Sequence, residues 1–95
     1  MAVQPIRHER AGDGGVFLME QDGHQVGELH YQLSAGRMLI THTEVAPALR
    51  GGGLAQELVD AAATWARAEK LKILPLCSYA GAVLQRNPAH ADLLV

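Results

Sequence analysis

The sequence is short of several things that would have narrowed its role at once. It holds one cysteine, Cys77, in 95 residues. A lone thiol closes no intrachain disulfide and cannot build a Cys-based zinc site, and such a chain suits a reducing compartment. There is no basic surplus: 8 Lys and Arg stand against 10 Asp and Glu, a formal charge of −2. Generic nucleic-acid binders carry the opposite balance. No apolar run approaches a membrane span, and the first five residues carry no signal-type apolar segment. A soluble, cytoplasmic protein is expected, with neither nucleic acid nor membrane as partner. Repeats and low-complexity tracts are also missing. What is present is a 48% apolar chain, too hydrophobic for intrinsic disorder. Its length suits a single domain spanning 1–95.

The first half patterns as strands. Ile6 to Glu9 is a short candidate, followed by a turn over Gly12-Asp13-Gly14-Gly15. Val16 to Gln21 is strand-like, and Asp22-Gly23 is a hairpin signal. Val26, Leu29, Tyr31 and Leu33 fit a second arm with imperfect alternation and a bulge near Gly27. After Ser34-Ala35-Gly36, Met38 to Val45 forms a third arm. Regular alternation there puts Met38, Ile40, His42 and Glu44 on one face, and Leu39, Thr41, Thr43 and Val45 on the other. The period then changes. Leu54, Leu58, Ala61, Ala62, Trp65 and Ala66 recur at three- and four-residue spacing, predicting an amphipathic helix from about Leu54 to Lys70. Lys72 to Leu76 is a short strand. A second helix runs from Ser78, a candidate N-cap, to about Arg86, where Asn87-Pro88 stops it. The tail is a last helical turn or irregular. Strand, helix, strand in that order implies a crossover between parallel neighbours.

The chemistry-bearing segment is Thr41-His42-Thr43-Glu44-Val45, then Ala46-Pro47-Ala48-Leu49-Arg50, then Gly51-Gly52-Gly53-Leu54-Ala55. A strand ends in a glycine-rich loop that opens directly into a helix. Helix-start amides lack internal partners and face anions favourably, and glycine admits a phosphate closely. Arg50 adds a fixed positive charge. The loop lacks the Gly-Lys-Ser/Thr end of a nucleotide P-loop and the spaced glycines of dinucleotide folds. The structural alternative is a plain turn that eases helix packing.

Arg50, Gly53 and Ala55 fit Arg-x-x-Gly-x-Ala, which resembles the acyl-CoA pyrophosphate loop of the GNAT N-acetyltransferase superfamily. His42-Thr43-Glu44-Val45, Leu54-Ala55, Leu74-Pro75-Leu76-Cys77, Asn87-Pro88 and Asp92-Leu93 extend the resemblance to the small, single-domain members, over roughly Val26 to Leu93. It implies an α/β fold, a minimal GNAT core: a mixed, mostly antiparallel sheet with a β-loop-α-β crossover and a short C-terminal helix. The paired N-terminal helices of larger members have no room before Val16, so the acceptor side should be open. By the same resemblance, the strands flanking the helix splay to admit pantetheine. The Val45 backbone would bond pantetheine or the thioester carbonyl. Arg50, Gly51, Gly52, Gly53, Leu54 and Ala55 would hold the pyrophosphate of acetyl-CoA or coenzyme A. The helix Tyr79 to Arg86 would flank the pantetheine end.

Acetyl transfer to an amine needs a base for the amine's proton and an acid for the leaving thiolate. His42 and Glu44 lie about 7 Å apart along one strand face. His42 could act as that base, and Glu44 could serve as base or orient the acceptor's ammonium. Cys77 could relay the acetyl group in a ping-pong route, its thiolate favoured by a helix start at Ser78. Each has a structural alternative: a packed imidazole, a solvated carboxylate, an inert core thiol. Many members use a tyrosine in the last helix as the acid; Val83 aligns there and donates no proton, leaving the acid unassigned. Tyr79 lies one turn earlier. His8, His24, His30 and His90 show no ligand spacing, so no metal is expected. The leading expectation is an N-acetyltransferase acting on the primary amine of a small molecule, peptide or protein lysine, as a monomer or homodimer. The alternatives are a non-catalytic acyl-CoA binding or sensing module and a small interaction domain with a purely structural glycine loop.

Overall fold

The computed structural model describes residues 6–94. Five strands form one sheet in the order β1 (Arg7–Ala11), β2 (Gly14–Gln21), β3 (His24–Ser34), β4 (Arg37–Val45) and β5 (Lys72–Pro75). The first four pair antiparallel as a meander; β5 runs parallel to β4, as the crossover requires. The first strand sits slightly later than its apolar pattern suggested. The turn before β2 is tighter, because Gly14 and Gly15 pair with Ala11 and Arg10 instead of looping. The Asp22-Gly23 hairpin forms where expected. The irregularity near Gly27 is a bulge: Met19 faces Gly27 and Glu20 faces Gln25, leaving Val26 extra.

Helix α1 (Leu54–Ala68) lies on one sheet face, with a second helix, α2 (Ser78–Arg86), beside it. The buried side of α1 is Leu58, Val59, Ala62, Ala63 and Ala66. Its alanines let the helix approach the sheet, where Phe17, Met19, Leu29, Tyr31, Met38 and Ile40 complete the core. At Gly27 the approach is tight: a Cβ there would stand 2.9 Å from Leu58 Cδ1. The helix stops at Ala68, short of Lys70, because Lys70 takes a left-handed φ of 59° and turns the chain toward β5. A 3-10 helix, Pro88–Leu93, forms the tail, tied to α1 by Arg67 on both Asp92 carboxylate oxygens (2.9 Å each). None of the described helices is long and apolar enough to cross a membrane.

A second bulge corrects the expected faces of β4. Tyr31 pairs with Ile40 but His30 pairs with His42, so Thr41 is the extra residue. Beyond it the alternation inverts. Met38 and Ile40 point into the core, and so do Thr43 and Val45. His42 and Glu44 still share a face, but it is the opposite one, and it carries no helix among the described residues.

Candidate functional site

The Thr41 bulge also ends the pairing of β4 with β5. The ladder stops at Ile40–Pro75, and the amides of Leu76 and Cys77 both donate to Ile40 O, at 2.9 and 3.1 Å. The last strand is therefore one residue shorter than expected. Beyond this fork the two strands part, and β4 runs on to Val45 alone on that side. Ala46 donates to Val26 O on the β3 side (2.9 Å). Strand alternation then turns the backbone groups of Val45 and Thr43 toward the gap. Val45 O accepts from Arg50 Nε at 3.2 Å, which ties the loop's cation to the strand end.

A 3-10 turn, Pro47–Leu49, carries the chain from β4 into the glycine loop. Gly53 occupies the helix cap position with φ 88°, ψ 1°, a left-handed geometry that strains any residue with a side chain. Glu57 is the first residue whose amide bonds back, to Gly53 O at 3.1 Å. The amides of Leu54, Ala55 and Gln56 precede it, and no side chain caps them. A Cβ on Gly51 or Gly53 would meet nothing within 4 Å. The loop is an open, anion-favouring cradle, and its residues fit a diphosphate.

One cleft of about 670 Å³ joins these parts. Its lining joins Arg50, Gly51, Gly53, Leu54 and Ala55 of the loop and helix start, His42 to Val45 of β4, and Tyr79 of α2. The structure therefore gathers six of the residues singled out for pyrophosphate and pantetheine, Val45 among them. It adds Gln56, Leu49 and Thr43, and Tyr79 comes from the helix expected to flank the pantetheine end. Gly52 lies in the same loop, where a Cβ would crowd Leu49 O at 3.3 Å. Val83, the position aligned with the acid, is buried at 4% exposure, whereas Tyr79 is 43% exposed in the cleft.

His42 Nε2 lies 3.1 Å from Glu44 Oε1, both side chains about half exposed. His30 lies beside them, its ring centroid 5.9 Å from that of His42. Cys77, not Ser78, takes the cap position of α2, with no regular side-chain cap bond; Ser78 is the first helical residue. Burial pushes the Cys77 thiol up, but the amides of Ala80 and Tyr79 and the hydroxyl and amide of Thr43 favour the thiolate and hold it below its ordinary value. Thr43 Oγ1 is itself buried without a hydrogen-bond partner.

The family model for GCN5-related N-acetyltransferases matches residues 16–93. Among solved structures, a GCN5-like protein from Staphylococcus aureus is 24% identical, over 94% of this chain and 87% of its own, with a TM-score of 0.72. The IAA acetyltransferase of Bacillus cereus is 20% identical, over 78% of this chain and 53% of its own, with a TM-score of 0.67. AAC(6')-Iy, captured with the bisubstrate analogue CoA-S-monomethyl-acetylneamine, is 19% identical over 87% of this chain, with a TM-score of 0.61. This chain spans 62% of that protein, so the last two relatives are much larger. At these identities the likeness is one of fold. A search of curated proteins finds no match.

Proposed function

The chain belongs to the GCN5-related N-acetyltransferase family, and we propose from that premise that it moves an acetyl group from acetyl-CoA to a primary amine, as one domain spanning 1–95. The observation that carries the reading is the single cleft lined by the uncapped start of α1, Arg50 and Tyr79, with the His42–Glu44 pair on its wall. Arg50 and the amides at the head of α1 hold the pyrophosphate, through charge and unpaired N–H groups. The Val45 amide and the Thr43 carbonyl, facing the strand gap, bond the pantetheine amides.

His42 is the base. With Nε2–H given to Glu44, its Nδ1 lone pair is free to take the acceptor's proton. Glu44 then faces an imidazolium, which it stabilises, and it attracts the incoming ammonium. The Tyr79 hydroxyl returns a proton to the departing thiolate, filling the role that buried Val83 cannot. The acceptor is an amine on a small molecule, a peptide or a lysine side chain.

The lowered Cys77 thiol favours a second route, in which its sulfur takes the acetyl group and passes it on. Calorimetric titration with acetyl-CoA, CoA and ATP, followed by thiol-release assays over an amine panel, tests both. CoA binding without ATP binding, lost in Gly53→Glu, and turnover lost in His42→Ala but kept in Cys77→Ala, is the expected result. CoA binding with no turnover for any amine would reduce the protein to an acyl-CoA sensing module. No CoA binding would leave an interaction domain with a structural loop. An acetylated Cys77 that turns over would establish the relay.

A further inference from the structure

We propose that Glu28, His42 and Glu44 form a binding site for a divalent transition-metal ion of the zinc type, on the sheet face that no described helix covers. Chain spacing concealed it, and a metal-free protein was the expectation, because the ligands come from two strands. In the ladder Glu28 pairs with Glu44 and His30 with His42, so the four side chains form a two-by-two patch across β3 and β4. One ligand atom each from Glu28, His42 and Glu44 lies within 4.8 Å of the other two.

Three features of the patch suit a cation of this class. First, two carboxylates directly opposite one another across strands repel, and a bound dication reverses that sign. Second, one imidazole nitrogen and two carboxylate oxygens form a mixed donor set that suits zinc-type ions, with a fourth position left to water. All-oxygen sites would suit magnesium or calcium instead. Third, His30 Nε2 lies 2.7 Å from Glu28 Oε2, the kind of outer hydrogen bond that fixes a ligating group. Tetrahedral ligation at ~2.1 Å needs ligand atoms ~3.4 Å apart. His42 and Glu44 are 52% and 55% exposed, so their side chains can rotate inward without disturbing the core.

The ion and the acceptor amine would compete for His42, so zinc would inhibit transfer. The site itself does not depend on the acetyl-transfer reading, and its test uses no acetyl-CoA. The full chain without a polyhistidine tag is titrated with Co²⁺, followed by visible absorption and circular dichroism, and then displaced with Zn²⁺. We expect one saturable equivalent per chain. Glu28→Gln and His42→Ala should each weaken it ~10–100-fold, and His30→Ala by about 10-fold. His24→Ala, at the far hairpin, should leave it unchanged. The proposal is overturned by absence of saturation up to millimolar ion in the folded protein. It is also overturned if Glu28→Gln, an isosteric change at a half-buried position, leaves affinity intact, or if His24→Ala lowers it equally.

Discussion

Replacing Arg50 with alanine separates two contributions that the structure joins in one side chain. Its Nε donates to Val45 O at 3.2 Å, and the residue lines the cleft together with Gly51 and Gly53. Losing charge-assisted bonds to a pyrophosphate should remove about 1.5–3 kcal/mol, or roughly 10–150-fold in CoA affinity. Losing the bond to Val45 loosens the strand end, worth about 0.5–1.5 kcal/mol. The first loss needs the ligand's phosphates; the second does not. Calorimetry should therefore be run with CoA and with a phosphate-free pantetheine thioester. The ratio of their affinities should fall at least about 10-fold in Arg50→Ala, while pantetheine affinity falls by less than about 10-fold. Arg50→Lys should recover part of the CoA loss, since a point charge replaces a fork. Added salt should weaken CoA binding more steeply in the parent than in the variant. Equal losses for both ligands would place Arg50 in a purely structural role, and an unchanged CoA affinity would refute the pyrophosphate assignment.

Three further outcomes follow from the geometry. Because the Cys77 thiol is held below its usual 9.0, the midpoint of its alkylation rate against pH should lie below that of the unfolded chain. Acetyl-CoA should protect it, and Thr43→Val should move the midpoint up; a midpoint at the unfolded value would refute the polarising role of Thr43 and α2. Gly27→Ala pushes a Cβ against Leu58 and should lose about 1–3 kcal/mol, and Leu58→Ala about 2–5 kcal/mol by urea unfolding. The double variant should lose clearly less than the sum, whereas strict additivity would mean that the two residues do not share the space. The pKa of His8 is lowered by burial and then by Arg10, and its Nε2 lies 2.6 Å from Tyr31 Oη with the ring stacked on Phe17. Its folded pKa is below the unfolded 6.5, so its stabilisation is present above that value and lost as pH falls through the folded one. Urea midpoints should drop between pH 7 and 5, and less so in His8→Phe; an identical slope would exclude His8.

Much of the fold was legible because its signals are local. Asp22-Gly23 specifies a hairpin wherever it sits between strands, and the 3.6 spacing of Leu54 to Ala66 requires no knowledge of neighbours. The glycine loop, Arg50 and the helix after it were legible for the same reason. The misplacements have another origin. Counting pairs outward from the turn at Ala35-Gly36 sets Tyr31 against Ile40, which is correct, and then His30 against Thr41, which is not. One extra residue changes every later pairing, and Thr41 has no composition that marks it as extra. The juxtaposition of His30 with His42, and of Glu28 with Glu44, was therefore invisible before the register was known. Tyr79 was obscured differently: a motif position pointed to Val83, and only the packing of α2 shows that Val83 is turned into the core and Tyr79 into the cleft.

That same residue explains why the site has the form it does. Without Thr41 as an extra, regular alternation would carry His42 and Glu44 onto the face that Met38 and Ile40 occupy, against α1. Two titratable groups would then displace the apolar contacts of Val45, which is 5% exposed, and would enter the core without partners. Burying them unpaired would cost several kcal/mol, a large share of what holds a domain of this size together. The bulge inverts the strand instead, keeping Thr43 and Val45 inward and the His42–Glu44 pair in water. Because the bulged strand bends, the same insertion draws β4 away from β5 just past Ile40 and leaves the backbone of Thr43 and Val45 facing the gap. The edge that would receive a ligand and the face that would receive its acceptor are thus produced by one local defect, and neither could be kept if the strand were regular.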